Sequence, residues 1–358
     1  MAPSQSSATE VVDIHTHMYP PPYITLLRSR TTVPYIRDIP DLGPRLIILP
    51  DEVATGRPIG PAYWDVGEKL KFMDTHDINT SVVSLANPWL DFISDPEEGT
   101  RLAREVNDWF EKTCAESGGR LYFFGVLPMR AGVDAICEEV KRLKALKYSR
   151  GVVMGTTGMG DGPDDKKFEE VWAAIEETEA MVFLHPHYGL PNDVFGPRSG
   201  EYGHVLPLAL GFPLETTIAV TRMILSGVFG RFPELKMLLA HSGGTLPFLA
   251  GRIQSCIEHD GSFRKGEGKS LNVWDILKKN IYLDAVVYSA IGLKAATEAV
   301  TSDRVMFGTD HPFFPPLGEE TKWVSVQTNY NAIEEGFKDE DSIKVLGKNA
   351  VEVLSLKH

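Results

Sequence analysis

The residues with the clearest chemical potential in this sequence begin with His15 and His17, in the run Asp13-Ile14-His15-Thr16-His17. The apolar residues before them predict a short strand, and side chains two residues apart on a strand point to the same face. Two imidazoles that converge from a strand end supply two of the ligands of a catalytic zinc site. A histidine pair without any metal is the alternative that this motif alone leaves open.

Three further motifs place histidine or aspartate at the ends of predicted strands. They are Phe183-Leu184-His185-Pro186-His187, Leu239-Ala240-His241-Ser242-Gly243-Gly244 and Phe307-Gly308-Thr309-Asp310-His311-Pro312-Phe313. If these strand ends meet at one rim, the side chains form a site of three nitrogens and one oxygen, which suits Zn²⁺ or a similar divalent ion. The expected ligands are His15, His17, His185 and Asp310, with His241 beside them.

The elements that must position these residues alternate between strands and helices. Near-continuous apolar runs predict eight buried parallel strands, over residues 11–18, 80–86, 121–127, 150–155, 181–185, 236–241, 281–287 and 304–308. Helical patterns lie between or after them, over residues 65–76, 96–117, 133–146, 165–180, 214–227, 245–259, 290–300, 320–336 and 341–356. Eight strand–helix units predict a (β/α)8 TIM barrel, with its active site at the carboxyl ends of the strands. A doubly wound open sheet is the alternative, but no GxGxxG motif follows the first strand.

One domain accounts for the whole chain in this interpretation. A chain of 358 residues is long enough for a single barrel over residues 1–358. Two long stretches, residues 19–64 and 188–213, interrupt the alternation after predicted strand ends. Because loops of this length in a compact domain are usually functional or disordered, we expect both to cover the substrate, with surface insertions as the alternative.

Composition narrows the class of partner. The formal net charge of −13 disfavours nucleic acid and anionic membranes as partners, so a small anionic substrate would need local arginines. No apolar run has the length expected of a transmembrane segment. The three cysteines, Cys114, Cys137 and Cys256, are scattered and odd in number, which favours reduced thiols and a cytoplasmic location.

The four motifs, in this order, resemble those of the amidohydrolase superfamily. Within it they resemble the decarboxylase branch that includes aminocarboxymuconate-semialdehyde, γ-resorcylate and uracil-5-carboxylate (isoorotate) decarboxylases. The run GTDHPFFPPL over residues 308–317 and the loop Asn87-Pro88-Trp89 are most similar to the fungal uracil-5-carboxylate decarboxylases. The resemblance covers nearly the whole predicted barrel.

The resemblance implies a set of functional residues. It implies one metal ion per subunit, most often zinc, held by His15, His17, His185 and Asp310. It implies that Asp310 and His241 handle protons, and that Arg252 reaches the substrate of a neighbouring subunit in a homodimer or homotetramer. Arg57, Asn87 and Phe313 match pocket positions, and Arg45 competes with Arg57 for the arginine of the first long segment.

One departure from the binuclear hydrolases of the superfamily concerns the metal count. Those hydrolases carry a carboxylated lysine at the end of the fourth strand, whereas residues 151–156 read Gly-Val-Val-Met-Gly-Thr. The absence of a lysine in this stretch of sequence favours one metal over two.

The leading expectation is therefore a zinc-dependent carboxy-lyase of pyrimidine metabolism. It would convert uracil-5-carboxylate to uracil and CO₂, with Asp310 as proton donor to the ring carbon and no organic cofactor. Hydroxybenzoates such as γ-resorcylate and 2,3-dihydroxybenzoate are alternative substrates. A metal-dependent hydrolase of a lactone or cyclic amide, and a binding protein with a structural metal site, are alternatives of other classes.

Overall fold

Two sheets organise the part of the chain that the computed structural model describes, which is residues 10–53, 56–264, 272–318 and 320–356. Their strands are β1 (Val12–His17), β2 (Tyr35–Ile39), β3 (Gly43–Ile47), β4 (Arg57–Pro58), β5 (Thr80–Ser84), β6 (Leu121–Val126), β7 (Ser149–Gly155), β8 (Met181–His185), β9 (Lys236–Leu239), β10 (Ile281–Asp284) and β11 (Val305–Met306). Eight form a parallel sheet in the order β1-β5-β6-β7-β8-β9-β10-β11. The short strands β2, β3 and β4 form a separate antiparallel sheet.

The two edges of the eight-stranded sheet meet, which closes it into a barrel. The amide of Ile14 in β1 donates to the carbonyl of Phe307, just beyond β11, at 3.0 Å. Further along, the amide of His17 donates to the carbonyl of His311 at 2.7 Å, and Thr16 bridges to His311. The predicted (β/α)8 TIM barrel is confirmed, and all eight predicted strands are present.

Helices pack around the barrel and cover the apolar strands. They are α1 (Pro21–Ser29), α2 (Val66–Thr75), α3 (Pro96–Glu116), α4 (Val133–Ala145), α5 (Glu169–Glu177), α6 (Phe212–Leu225), α7 (Val228–Arg231), α8 (Leu246–His259), α9 (Gly261–Arg264), α10 (Val273–Asn280), α11 (Ala290–Val300), α12 (Val324–Gly336), α13 (Asp339–Ile343) and α14 (Asn349–Val353). Their starts follow local chemistry, since the side chains of Asp65, Asp95 and Ser289 accept hydrogen bonds from first-turn amides of α2, α3 and α11.

Two regions hold more regular structure than the sequence predicts. Residues 19–64 contain α1 and the antiparallel sheet, although the sequence analysis treated them as one long insertion. Pro21 and Pro22 occupy the first turn of α1, where a missing N–H costs nothing. Helix α10 was missed because it has only eight residues; the side chain of Asn272 caps it.

The helical stretch Pro207–Leu225 is long and apolar enough to cross a membrane by length and composition, with a mean hydropathy of 1.4. The sequence analysis expected no run of that kind. The stretch joins a π-helical turn to α6, and its two charged residues are bonded to the barrel's loops. Glu215 accepts from the hydroxyl of Thr156, and Arg222 pairs with Asp164 at 2.9 Å. The core helix of a soluble protein passes the same test, so this one stretch is weak evidence for a membrane span.

Candidate active site

Three buried histidines converge at the carboxyl end of the barrel. His15 and His17 come from β1 and His185 from β8, and their ring centroids lie 5.0–5.2 Å apart. The Nε2 atom of each ring is buried and has no hydrogen-bond partner among the described residues. Buried polar atoms are nearly always paired, because leaving them unpaired costs free energy. Three such nitrogens facing one point therefore indicate a site for a cation.

Asp310 brings a carboxylate to the same point. Its Oδ1 lies 3.3 Å from His15 Nε2 and 3.4 Å from His17 Nε2, and its Oδ2 lies 3.6 Å from His241 Nε2. Its backbone has a φ of +60°, in the left-handed region that few residue types other than glycine, asparagine and aspartate adopt. The amide of Asp310 donates to the carbonyl of His15 at 2.7 Å, so the barrel closure itself holds this conformation.

The donor set suits a divalent cation. One ligand atom from each of His15, His185, His241 and Asp310 lies within 4.8 Å of the others. Imidazole nitrogens with one carboxylate oxygen are typical ligands of zinc and similar ions. The sequence analysis placed His17, rather than His241, among the ligands. Because His17 Nε2 is also buried and unpaired within the described residues, it remains a candidate ligand. We call these five residues the histidine–aspartate centre.

The electrostatics of the centre also suit metal binding. Burial lowers the pKa of His17 to about 4, and burial with the nearby imidazoles holds the pKa of His185 well below its usual range. Both rings are therefore neutral, which is the form that binds metals. Burial opposes a charge on Asp310, but His15, His17 and His241 outweigh it and hold the pKa of its carboxyl well below the usual value.

His15 behaves differently from the other two rings. Burial disfavours its charged form, but Asp310 and Asp284 outweigh burial and raise the pKa of His15 to about 10. A cation bound at the centre takes the place of that proton, since metal binding to imidazole releases protons.

Asp284 is the functional residue that the sequence analysis missed. It ends β10, is fully buried, and its Oδ2 lies 2.5 Å from His15 Nδ1. Its carboxylate also accepts hydrogen bonds from the backbone amides of His241 and Ser242, at 2.8 and 2.7 Å. Asp284 therefore orients one imidazole and anchors the turn that carries another. The available signal was its position, because it follows an apolar strand as the predicted ligands do.

The turn after β9 depends on an unusual backbone. His241 and Ser242 have φ values of +55° and +52°, and Gly243 and Gly244 continue with positive φ. A Cβ on Gly244 would lie 2.1 Å from the carbonyl oxygen of Pro213, so only glycine fits there. Strand β9 ends at Leu239, earlier than predicted, because the chain turns here to aim His241 at the centre.

A buried polar network ties β1 to the loop after β11. The carboxylate of Asp13 accepts from the amide and hydroxyl of Thr309 at 3.1 and 2.7 Å. Lys69 of α2 donates to the hydroxyl of Thr16, and its Nζ lies 3.3 Å from His311 Nδ1. Burial lowers the pKa of Lys69 to about 8. This network holds the two histidines of β1 in a fixed position relative to the loop after β11, which carries Asp310.

The predicted pocket residue Phe313 lies beside the centre, and Asn87 is bonded to His187, two residues beyond His185. The ring of Phe313 is 5.6 Å from that of His17 and 5.7 Å from that of Tyr63. Asn87 is buried, its side-chain amide donates to the carbonyl of His187, and its own carbonyl accepts from Tyr19 Oη at 2.6 Å. Phe313 therefore forms part of the wall, and Asn87 is held from two sides.

The structure separates the two arginines that the sequence analysis left in competition. Arg57 pairs with Glu52 at 2.7 Å. It also lies close enough to Tyr63 to oppose the rise in the pKa of Tyr63 that burial and Asp310 cause. Arg45 instead donates to the carbonyl of Leu42 in its own hairpin. Arg57 therefore stays the candidate from the first long segment, and its contact with the substrate stays a prediction.

Arg252 stands apart from the other predicted site residues. It lies on α8 and is exposed. Within the described residues its side chain forms no hydrogen bond or ion pair. The single chain therefore does not bring Arg252 to the centre.

The fold and the centre together define a class of protein. A (β/α)8 barrel with imidazoles and a carboxylate around a cation site at the strand ends is a metal-dependent barrel enzyme. The sequence matches the Amidohydrolase family over residues 12–356. The chain belongs to this family.

Similar proteins of known activity are decarboxylases. The chain is 29% identical over 303 residues to the 2-amino-3-carboxymuconate-6-semialdehyde decarboxylase of Dictyostelium discoideum, covering 84% of this chain and 79% of that protein. It is 30% identical over 260 residues to the γ-resorcylate decarboxylase of a Rhizobium species, covering 68% and 76%. The crystal structure of the Metarhizium anisopliae isoorotate decarboxylase (IDCase) shares 51% identity and a TM-score of 0.95, over 98% of both chains. The protein is thus a metal-dependent decarboxylase of the amidohydrolase family.

Proposed function

We propose that the protein is an isoorotate decarboxylase, which converts uracil-5-carboxylate to uracil and CO₂. The observation that carries the proposal is the 51% identity to the Metarhizium enzyme over 98% of both chains. The γ-resorcylate decarboxylase of Rhizobium is only 30% identical over 68% of this chain. The substrate of the more similar protein is therefore favoured over hydroxybenzoates.

The reaction requires a proton at the ring carbon that carries the carboxylate. Protonation makes this carbon tetrahedral, so that the bond to the carboxylate no longer lies in the ring plane. The bond breaks, its electron pair flows into the ring and its adjacent oxo group, and CO₂ leaves. One C–H bond replaces one C–C bond, and no oxidant is needed.

We assign proton delivery to Asp310. Its Oδ2 faces His241 Nε2 at 3.6 Å, and the His241 side chain is 17% exposed, so a proton from solvent reaches the carboxylate through this imidazole. The pKa of Asp310 lies well below its usual range in the free protein. A bound substrate carboxylate places a second negative charge nearby, and this repulsion favours the acid form of Asp310 in the complex, in opposition to the charge of a bound metal.

The metal proposed for the centre is zinc, one ion per subunit, held by His15, His17, His185 and Asp310. When bound, it orients the substrate and stabilises negative charge on its oxygens. A dihydroxybenzoic acid decarboxylase from Polaromonas, 23% identical to this chain, was solved with manganese, so the metal is a variable in the test below.

We assign the wall of the pocket to the two long insertions and the loop after β11. Tyr63 of the first insertion packs edge-on against Phe313, and Phe212, at the end of the second, lies 6.5 Å from the ring of His241. Phe313 packs on the substrate ring in this proposal. Arg57 and Asn87 contact its polar edge.

The experiment that tests the substrate compares kcat/KM across a panel. Zinc-loaded and manganese-loaded protein is assayed with uracil-5-carboxylate, γ-resorcylate and 2,3-dihydroxybenzoate, with CO₂ release as the readout. We expect uracil-5-carboxylate to exceed the others by about a hundredfold or more, because buried polar groups reject rings that leave them unpaired. A higher kcat/KM for a hydroxybenzoate would reassign the substrate, and hydrolysis of a lactone without CO₂ would reassign the reaction.

We further propose that Arg252 completes the site of a second copy of this chain. Arg252 shares α8 with Phe248, which is 84% exposed, and Ile218 of the adjacent α6 is 48% exposed. A contact that covers these two apolar side chains and gives Arg252 an anionic partner would stabilise a pair of subunits. A homodimer in which each α8 faces the partner's active site would cover it.

Mixing two inactive variants tests this arrangement. Arg252→Ala and Asp310→Asn are each expected to be inactive, but a mixed dimer has one site with both residues intact. After random exchange of subunits we expect about a quarter of the wild-type activity, because half of the dimers are mixed and each has one intact site. Activity no higher than that of the separate variants would contradict the proposal.

A further inference from the structure

Tyr288 is a half-buried side chain that the reaction described above does not use. It lies in the loop that follows β10, four residues beyond Asp284. Its hydroxyl is buried and forms no hydrogen bond within the described residues. Burial, together with the carboxylates of Asp310 and Asp284, raises the pKa of Tyr288 above its usual value. The hydroxyl is therefore protonated and available as a donor.

The backbone of Tyr288 is held in an unusual conformation. Its φ is +54°, which is rare for a bulky aromatic residue. The amide of Tyr288 donates to Oδ1 of Asn329 at 3.2 Å, and Nδ2 of the same asparagine donates to the carbonyl of Gly308 at 3.2 Å. Asn329 is fully buried, so it ties this loop to the segment that leads into Asp310. Strain of this kind persists where the surrounding structure enforces it, and it is concentrated at functional sites.

The position of the ring agrees with a role at the mouth of the pocket. The ring of Tyr288 packs edge-on against Phe314 at 6.1 Å, next to the predicted wall residue Phe313. A buried hydroxyl normally has a partner, and the hydroxyl of Tyr288 is a donor with no acceptor among the described residues. The acceptor that has to enter this space is the substrate, because Asp310 must reach its ring carbon.

We propose that Tyr288 Oη donates a hydrogen bond to an oxygen of the bound ring carboxylate, which makes Tyr288 a substrate-binding residue. The inference rests on the proposed function, because it takes a planar acid with acceptor oxygens as the ligand. Nothing in the sequence pattern around Val287-Tyr288-Ser289 indicates this role, since it depends on the loop conformation.

The variant that tests the inference is Tyr288→Phe, which keeps the ring and removes only the hydroxyl. We expect kcat/KM for uracil-5-carboxylate to fall about 10- to 100-fold, the loss typical of a hydrogen bond to a charged group. We expect the melting temperature to stay the same or rise, because the hydroxyl has no partner to lose in the free protein. Tyr282→Phe is the matched control. It makes the same chemical change on a tyrosine whose ring packs against Arg304, at 4.4 Å, and not against a residue of the centre.

Binding without turnover gives a second readout. The dissociation constant of uracil-5-carboxylate is measured by calorimetry for Asp310→Asn with and without Tyr288→Phe. The inference predicts that the dissociation constant of the double variant is about tenfold higher, or more, than that of Asp310→Asn alone. Equal dissociation constants, or a lower melting temperature with unchanged kcat/KM, would show that the hydroxyl is structural and overturn the inference.

The two proposals fail separately in this design. If the wild type acts on a hydroxybenzoate instead, the proposed function fails, and the same binding comparison with that acid decides the role of Tyr288. If the wild type binds none of the ring carboxylates, the inference is overturned together with the function.

Discussion

Asp310→Asn is expected to lower kcat for uracil-5-carboxylate by about 10²- to 10⁴-fold, the range that general acids contribute. Asparagine has no acidic proton to give to the ring carbon. It keeps the oxygen that lies 3.3 Å from His15 Nε2 and 3.4 Å from His17 Nε2. Asparagine also tolerates the positive φ of this position, so the backbone and the 2.7 Å bond to the His15 carbonyl are retained.

Steady-state kinetics, with metal content measured on the same sample, check this result. Asp193→Asn makes the same chemical change on an exposed carboxylate of the second insertion and is the matched control. A variant that binds metal normally and keeps more than about a tenth of the wild-type kcat would remove Asp310 from the role of proton donor.

His185→Ala is expected to abolish both metal binding and decarboxylation. His185 is buried, and its Nε2 is one of the unpaired nitrogens that face the centre. Burial and the neighbouring imidazoles keep the pKa of His185 low, so the ring is always available as a ligand. We expect the metal affinity to fall by at least about a hundredfold, since even changes to residues that orient ligands cost 10- to 100-fold.

Thermal unfolding gives this prediction an independent measurement. A metal ion that binds only the folded state raises the melting temperature of the wild type, and a chelator reverses the rise. The variant should show neither response, whereas His204→Ala, which removes an exposed imidazole of the second insertion, should respond as the wild type does. Full metal content and activity in His185→Ala would contradict the ligand assignment.

The barrel and most of the centre could be predicted because parallel strands place their carboxyl ends on one rim. His15, His17, His185 and Asp310 each follow an apolar run, so the topology alone brings them together. Asp284 also follows such a run. It was missed because its role depends on the 2.5 Å contact with His15, across two strands that are distant in sequence.

Local conformation explains the other differences between prediction and structure. Strand β9 ends early because His241 and Ser242 adopt positive φ, which residue types other than glycine do not signal. The role proposed for Tyr288 could not be predicted for the same reason, because it depends on the positive φ of that residue. In residues 19–64, the pairing of β2 with β3 depends on contacts that periodicity does not reveal, and proline at a helix start resembles proline in a loop.

The central claim is tested most directly by identifying the product formed from uracil-5-carboxylate in deuterated water. Metal-loaded protein is incubated with the substrate, the products are separated by chromatography, and their masses are measured by mass spectrometry. The account predicts uracil with a single deuterium at the carbon that lost the carboxylate, and an equal amount of CO₂. A ring-opened product, or no turnover by folded and metal-loaded protein, would contradict it.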